Sequence, residues 1–459
     1  MIKKIALLLV LMFVVQILSS TPAAAIEPFR DLEARSALLA EKETGKILYS
    51  NNMHTRHPAD ELTKIMTLLL AAYAIENDEI RDNELIEITE SAWDDPEEIS
   101  SSLDIEPGEE MTFIDLMYCS YVGNSDEASN MLALRIAGNI NAFVAMMNAQ
   151  AMEFGATNTR FVNPHGQYNE AQYTTAYDML IIFSEAMKSA LFAEVASTFR
   201  HITEGTDEFE SRVLSSSNSI INPSSRYYFR HCETGRESSS YEGGFSLVAY
   251  SDDEGLSLIS VVLGAKDVVY EDQSSEILSF SETIRLLLWG YNQFSWRDIL
   301  KTTDLLARVP VLHGSGADFV NARPDEPLTI LLENSVPTEA FIREITIFSE
   351  KEDDPLIAPV TAGDVLGEVV ITRDGVEYAR TSLVANTDIP LNSVEYIRRQ
   401  VIAMLSSDAA HNVMIVLGVL VLLYIALVVR YNIVRANRLR RIKNAKNDLI
   451  RERHQNFRD

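Results

Sequence analysis

The run Leu62-Thr-Lys-Ile-Met-Thr-Leu-Leu-Leu-Ala-Ala-Tyr-Ala-Ile75 sets a single lysine in an apolar stretch of strong helix formers. It reads as a largely buried helix with Lys64 in its first turn. Ahead of it, Ser36–Glu41 and Lys46–Ser50 flank Glu43-Thr44-Gly45, the pattern of a β-hairpin. Behind it, Asn139–Phe154 repeats its apolar residues with the helical period. Gly244–Leu263 is rich in Val, Ile and Leu and alternates as two adjacent strands would, turning at Ser251-Asp252-Asp253-Glu254-Gly255. From Leu306 to Ala385, short apolar runs interrupted by Gly, Asp and Pro predict a smaller all-β domain. Val394–Leu405 then reads as an amphipathic helix.

The two ends differ from the body. Lys3-Lys4, the apolar run Ile5 to Val15 and the small-residue site Ala23-Ala24-Ala25 have the layout of a secretory signal peptide cleaved after Ala25. Near the other end, Val413 to Val429 carries no charge and is followed by Arg430, Arg435, Arg438, Arg440, Arg441, Lys443 and Lys446. That is a short membrane span with a positive cytoplasmic flank. Of the formal net charge of -28, the N-terminus contributes +2 and the last thirty residues +7, so the body between carries -37. A body this acidic lacks the basic footprint that phosphate backbones require, so nucleic acid is not an expected partner. With only Cys119 and Cys232, no disulfide framework defines the fold.

Several segments in order, Ala37 to Tyr49, Leu62 to Thr67, Glu106-Pro-Gly-Glu109, Glu127-Ala-Ser-Asn130, Asn158 to Gly166, Thr234-Gly235 and Leu258 to Ala265, resemble the serine D-Ala-D-Ala carboxypeptidases, the low-molecular-weight penicillin-binding proteins. Ala358-Pro-Val and Gly363 to Val370 resemble that family's C-terminal β domain. The resemblance implies an α/β (α+β) fold: a penicillin-recognising serine-hydrolase domain with an antiparallel sheet packed between helices. The expected organisation is a signal peptide (1–25), the carboxypeptidase-like domain (26–300), a β domain (301–390), an amphipathic stalk (391–411), a transmembrane helix (412–430) and a basic cytoplasmic tail (431–459). The body is expected outside a bacterial plasma membrane.

The family works through Ser-x-x-Lys, Ser-x-Asn and Lys-Thr-Gly. A nucleophile three residues before a lysine shares its helical face, so the amine can accept the hydroxyl proton. The second Ser and Asn relay protons, and the Lys of the third element lies on an edge strand and attracts the substrate's terminal carboxylate. All three elements are altered here. Glu61 stands three positions before Lys64, the second element falls on Asn124-Ser125-Asp126, and the third on Glu233-Thr234-Gly235. None of the eleven lysines has a serine three positions before it.

These changes predict that Glu61 pairs with Lys64, raising the pKa of the amine and keeping it charged. With Asp126 and Glu233, the cleft would then sum to about -2. Such carboxylates would suit a hard cation only if they converged. No cofactor and no metal is expected. His165, in Asn163-Pro-His-Gly166, reads as a turn residue, and Cys119 and Cys232 could flank one cleft. The reading is a membrane-anchored pseudoenzyme that binds a peptidoglycan stem peptide or cell-wall protein. The alternative implied by the resemblance is an active serine-type carboxypeptidase trimming stem peptides.

Overall fold

The computed structural model describes residues 32–93, 103–205, 209–269, 275–351, 354–406 and 408–455; the expected signal peptide lies outside them. The chain divides into two compact units, one reaching Arg297 and including Leu331–Pro337, the other formed by Asp298–Ile330 and the residues from Thr338 onward.

The first unit is built on a five-stranded antiparallel sheet of β1 (Ser36–Glu41), β2 (Ile47–Asn51), β3 (Cys232–Ser240), β4 (Gly244–Asp253) and β5 (Leu256–Ala265), in the order β2-β1-β5-β4-β3. The N-terminal hairpin thus pairs with the late one, Ala37 opposite Val262 and Leu39 opposite Ser260. All six residues of β1 are buried because both faces of the sheet are covered. Ala37 and Leu39 join Leu258, Leu286 and Leu287 on one face. Leu38 and Ala40 join Ile65, Leu69 and Met179 on the other. The first face is covered by α7 (Leu278–Gln293), where a Cβ on Gly290 would lie 2.7 Å from Leu39.

The second face carries α1 (Lys64–Glu76), α2 (Phe113–Tyr121), α3 (Asp126–Ala137), α4 (Ile140–Phe154), α5 (Ala176–Ala186) and α6 (Ala190–Ser197). Thr112, Ser125, Asn139, Thr175 and Ser189 each cap a helix with a side-chain oxygen. Such caps are worth about 1 kcal/mol apiece. Helix α1 has no side-chain cap, because a 3-10 turn at Asp60–Thr63 runs straight into it. The expected helix from Leu62 is therefore tightened in its first turn and becomes α-helical at Lys64.

The second unit holds an antiparallel sheet in the order Ala307–Pro310, Phe319–Pro324, Val376–Ala385, Val365–Arg373, Ile342–Ile347. Val309, Val320, Ala322, Val369 and Ile371 fill its buried face. Two further helices follow, α8 (Ser393–Ser406) and α9 (Asp408–Gln455). Within α9, His411–Asn447 is long and apolar enough to cross a membrane.

Candidate functional site

Strand β3 lies at the edge of the sheet, so its outer side needs partners that no sixth strand supplies. The Ser239 N–H finds one in the Glu61 carboxylate, and the even-numbered side chains bind the neighbouring segments. Thr234 Oγ1 donates to Ala196 O at 2.6 Å, and Arg236 Nη1 to Tyr121 O at 2.7 Å. Arg236 Nε reaches Glu61 O at 3.2 Å, and its Nη2 donates to Asn124 Oδ1. Ser238 Oγ donates to Glu61 Oε2 at 2.9 Å, and the same oxygen accepts the Ser239 N–H at 3.2 Å. Ser240 Oγ donates to Asp60 Oδ2 at 2.6 Å. The Asp60–Glu61 turn is thereby fastened along the strand edge.

At the start of α1 the Lys64 side chain is fully buried. Its Nζ donates to Asp126 Oδ1 at 2.6 Å, to Asn124 Oδ1 at 2.9 Å and to Asn124 O at 3.4 Å. An ammonium has three donors, and these contacts engage all of them. Asn124 adopts the left-handed conformation, φ 56°, which asparagine tolerates. Its side-chain oxygen thereby accepts from both Lys64 and Arg236. Asp126 opens α3, where its other oxygen accepts from Gln167 Nε2 at 2.7 Å. Burial lowers the pKa of Lys64; the Asp126 charge opposes this and the Arg236 charge adds to it.

The structure corrects the expected arrangement at three points. Lys64 pairs with Asp126, and the Glu61 carboxylate turns instead to Ser238 and Ser239. The lysine pKa is lowered, because the cost of burial outweighs the anion beside it. Glu233 is exposed, on the opposite side of the strand from Thr234 and Arg236. The period of two along β3 sends its charge away and brings Arg236, three residues later, to Asn124. Lys64 and Arg236 offset Asp126 and Glu61, and Asp60 adds one further carboxylate, so the formal sum is -1 where about -2 was predicted.

Thr234 and Gly235 serve the strand itself. The threonine anchors α6 through Ala196, and a Cβ at Gly235 would lie 2.5 Å from Val248 O. His165 is buried in the loop before α5 and accepts from Gln167 N at 3.2 Å. That loop presses on the site: a Cβ at Gly166, φ 91°, would come within 2.2 Å of Asp60 O. Cys119 and Cys232 are free and buried, and burial pushes both thiol pKa values up. Among the described residues, no group of three His, Cys, Asp or Glu side chains is placed to hold a metal ion.

Sequence reasoning missed Asp60, Gln167, Arg236 and Ser238. Strand alternation carried the signal for two of them, since Thr234, Arg236, Ser238 and Ser240 must share one face. Chemically, the site has an ammonium with no hydroxyl in its hydrogen-bond shell and a carboxylate where the nucleophile belongs. Its charges are held in fixed places by Asp126, Asn124 and Ser238.

The chain matches the profile of a family described as D-alanyl-D-alanine carboxypeptidase over residues 21–267. It is 28% identical to the D-alanyl-D-alanine carboxypeptidase DacF of Bacillus subtilis over 358 residues, covering 78% of this chain and 86% of that one. It is 25% identical to DacC of Escherichia coli over 366 residues, covering 78% and 84%. Among solved structures, it is similar to penicillin binding protein 5 from Haemophilus influenzae, with a TM-score of 0.56 and 24% identity over 79% of this chain and 98% of that one. PBP3 from Streptococcus pneumoniae, a peptidoglycan synthesis regulatory factor, is similar with a TM-score of 0.59 and 21% identity over 78% and 100%.

Proposed function

The chain belongs to the D-alanyl-D-alanine carboxypeptidase family, and from that footing we propose that it is a non-catalytic member that binds a peptidoglycan stem peptide without cleaving it. One observation carries this reading. Lys64, the residue that would take a proton from the nucleophile, has its three donors committed to Asp126 and Asn124, and Glu61 precedes it where a hydroxyl is needed. A carboxylate attacking an acyl donor would give a mixed anhydride that water destroys, so Glu61 is a poor substitute for serine. Fold and activity separate readily once a site is rebuilt.

The proposal includes the setting. The signal-like start at 1–25 and the apolar, one-sidedly basic helix around 412–430 support a single-pass protein of the plasma membrane, with its body outside the cytoplasm and residues 431–459 inside. An impermeant thiol reagent on intact cells should label an engineered cysteine within 306–385 and miss one placed after Arg441; the reverse pattern contradicts this topology.

For the chemistry, purified full-length protein in detergent is incubated with a pentapeptide ending in D-Ala-D-Ala. The expected result is no D-alanine above the no-enzyme control. Release that scales with protein concentration overturns the proposal.

A further inference from the structure

We infer that the apolar stripe of α8 is the surface on which two copies of this chain pair, parallel and in register, directly beside the membrane. The inference rests on the proposed single-pass anchoring and adds the partner, which is a second copy.

Along α8, Val394, Ile397, Val401 and Met404 follow one another at intervals of three, four and three. That spacing is the alternation of the two core positions of a coiled coil, so the four side chains form one seam along the helix. They are 79%, 60%, 51% and 71% exposed, an apolar face that nothing among the described residues covers. The chain's own β domain holds the helix elsewhere. Asn392 Oδ1 caps α8 by accepting from Glu395 N at 3.2 Å, and the Asn392 N–H donates to His313 O at 2.7 Å. The His313 ring then meets Tyr396 edge-on, 5.5 Å between centroids. Tyr396 lies about 120° around the helix from the seam, so this contact fixes α8 on the domain and leaves the seam free.

The charges on α8 do not oppose pairing. Glu395 holds Arg399 at 3.2 Å and Arg398 at 3.8 Å on its own helix, and none of the four seam positions is charged. The membrane span decides for a second copy. A single residue separates α8 from α9, whose segment His411–Asn447 is long and apolar enough to cross. Copies anchored by the same span share one orientation, and their seams stand at one height, as a parallel, in-register pair needs. Four side chains fall well short of the about 800 Å² that each partner of a stable free complex contributes. Confinement to a bilayer supplies the missing affinity as effective concentration, so pairing belongs to the anchored protein.

The test uses full-length protein in lipid vesicles at a high ratio of lipid to protein, with single cysteines introduced and oxidised by copper-phenanthroline. Cys119 and Cys232 are buried, so the parent is the blank. Ile397→Cys and Met404→Cys should each give a disulfide-linked dimer. The yield should be at least about 5-fold above that of Ile402→Cys, an apolar position that is 54% exposed and off the seam. Adding Val401→Glu to Met404→Cys should bring the yield down to the Ile402→Cys level, because it sets like charges face to face. All these positions are exposed, so the substitutions leave the fold of the body untouched. Salt should raise the seam yield, because each body carries -37 and screening lets two approach. Equal yields at 397, 402 and 404, or no dimer above the parent, overturn the inference. So do seam thiols that stay monomeric while the vesicle shields them from a water-soluble maleimide, which would place the stripe on lipid. Vesicles that keep the protein through a carbonate wash yet give no seam-specific dimer overturn this inference alone. Protein that washes off defeats the anchoring reading and the pairing with it.

Discussion

The ammonium of Lys64 lies 2.6 Å from the carboxylate of Asp126, and both side chains are out of water. The contact joins the first turn of α1 to the first turn of α3, because Ser125 caps α3 and leaves Asp126 at its opening. A lysine so held is predicted to carry stability. Removing one partner of a buried pair strands the other charge, a loss of about 3–5 kcal/mol, whereas removing both can be close to neutral. Lys64→Met and Asp126→Asn should each lower stability by that order, and the double variant by clearly less than their sum. Equilibrium denaturation of the four proteins measures this; additive losses would mean that the two charges do not depend on each other.

Asp60 gives the protein a pH dependence of definite sign. It is buried at φ 42°, with Oδ2 bonded to Ser240 and no hydrogen-bond partner for Oδ1. Burial, with Glu61 and Glu242 nearby and the Ser240 bond opposing, raises its carboxyl from 3.8 to about 6. The folded state therefore holds a proton that the unfolded chain has released, so this group's contribution to stability falls as pH rises from about 4 to 6 and is level above. Asp60→Asn removes the charge and suits the left-handed backbone. It should melt several degrees above the parent at pH 7.5 and with the parent at pH 4. A constant difference at both pH values would show that the Asp60 charge is not what costs stability.

Arg236 is the cation of the edge strand and holds two separate segments through three acceptors, Glu61 O on one and Tyr121 O and Asn124 Oδ1 on the other. Only a planar fork reaches acceptors in such different directions. Arg236→Lys should therefore lose most of what Arg236→Ala loses, roughly 2–4 kcal/mol for buried acceptors left without a charged donor. Thermal melts of the two variants compare them directly; a lysine variant as stable as the parent would reduce the arginine to a simple positive charge.

Much of the fold was legible because burial leaves plain marks. β1 is apolar from Ala37 to Ala40, and the run from Leu62 names a buried helix before any contact is known. The hairpin at Glu43-Thr44-Gly45 and the helix from Asn139 were equally clear, since turn residues and caps act within a few positions. The site was only partly legible. Asn124 and Asp126 do meet Lys64, but the choice between Glu61 and Asp126 as its partner depended on a turn geometry that spacing does not encode. Glu233 was placed by the likeness of Glu-Thr-Gly to a motif, while strand alternation exposes that side chain and buries Arg236.

The two cysteines should behave as packing residues. Both thiols are buried with raised pKa values, which removes the thiolate that reagents need. Ellman's reagent at pH 8 should find neither in the native protein and both after denaturation. Fast labelling of the folded protein, or fewer than two thiols after unfolding without reductant, would contradict this.

The central claim is that no activated hydroxyl stands before Lys64, and intact-protein mass spectrometry after exposure to benzylpenicillin tests it most directly. The full-length protein should keep its mass over hours at millimolar drug. Glu61→Ser alone should also gain little, because Asp126 and Asn124 still hold the lysine and groups that act as a unit do not recover singly. A penicilloyl adduct on the parent protein, stable enough to map to one residue, would contradict the account.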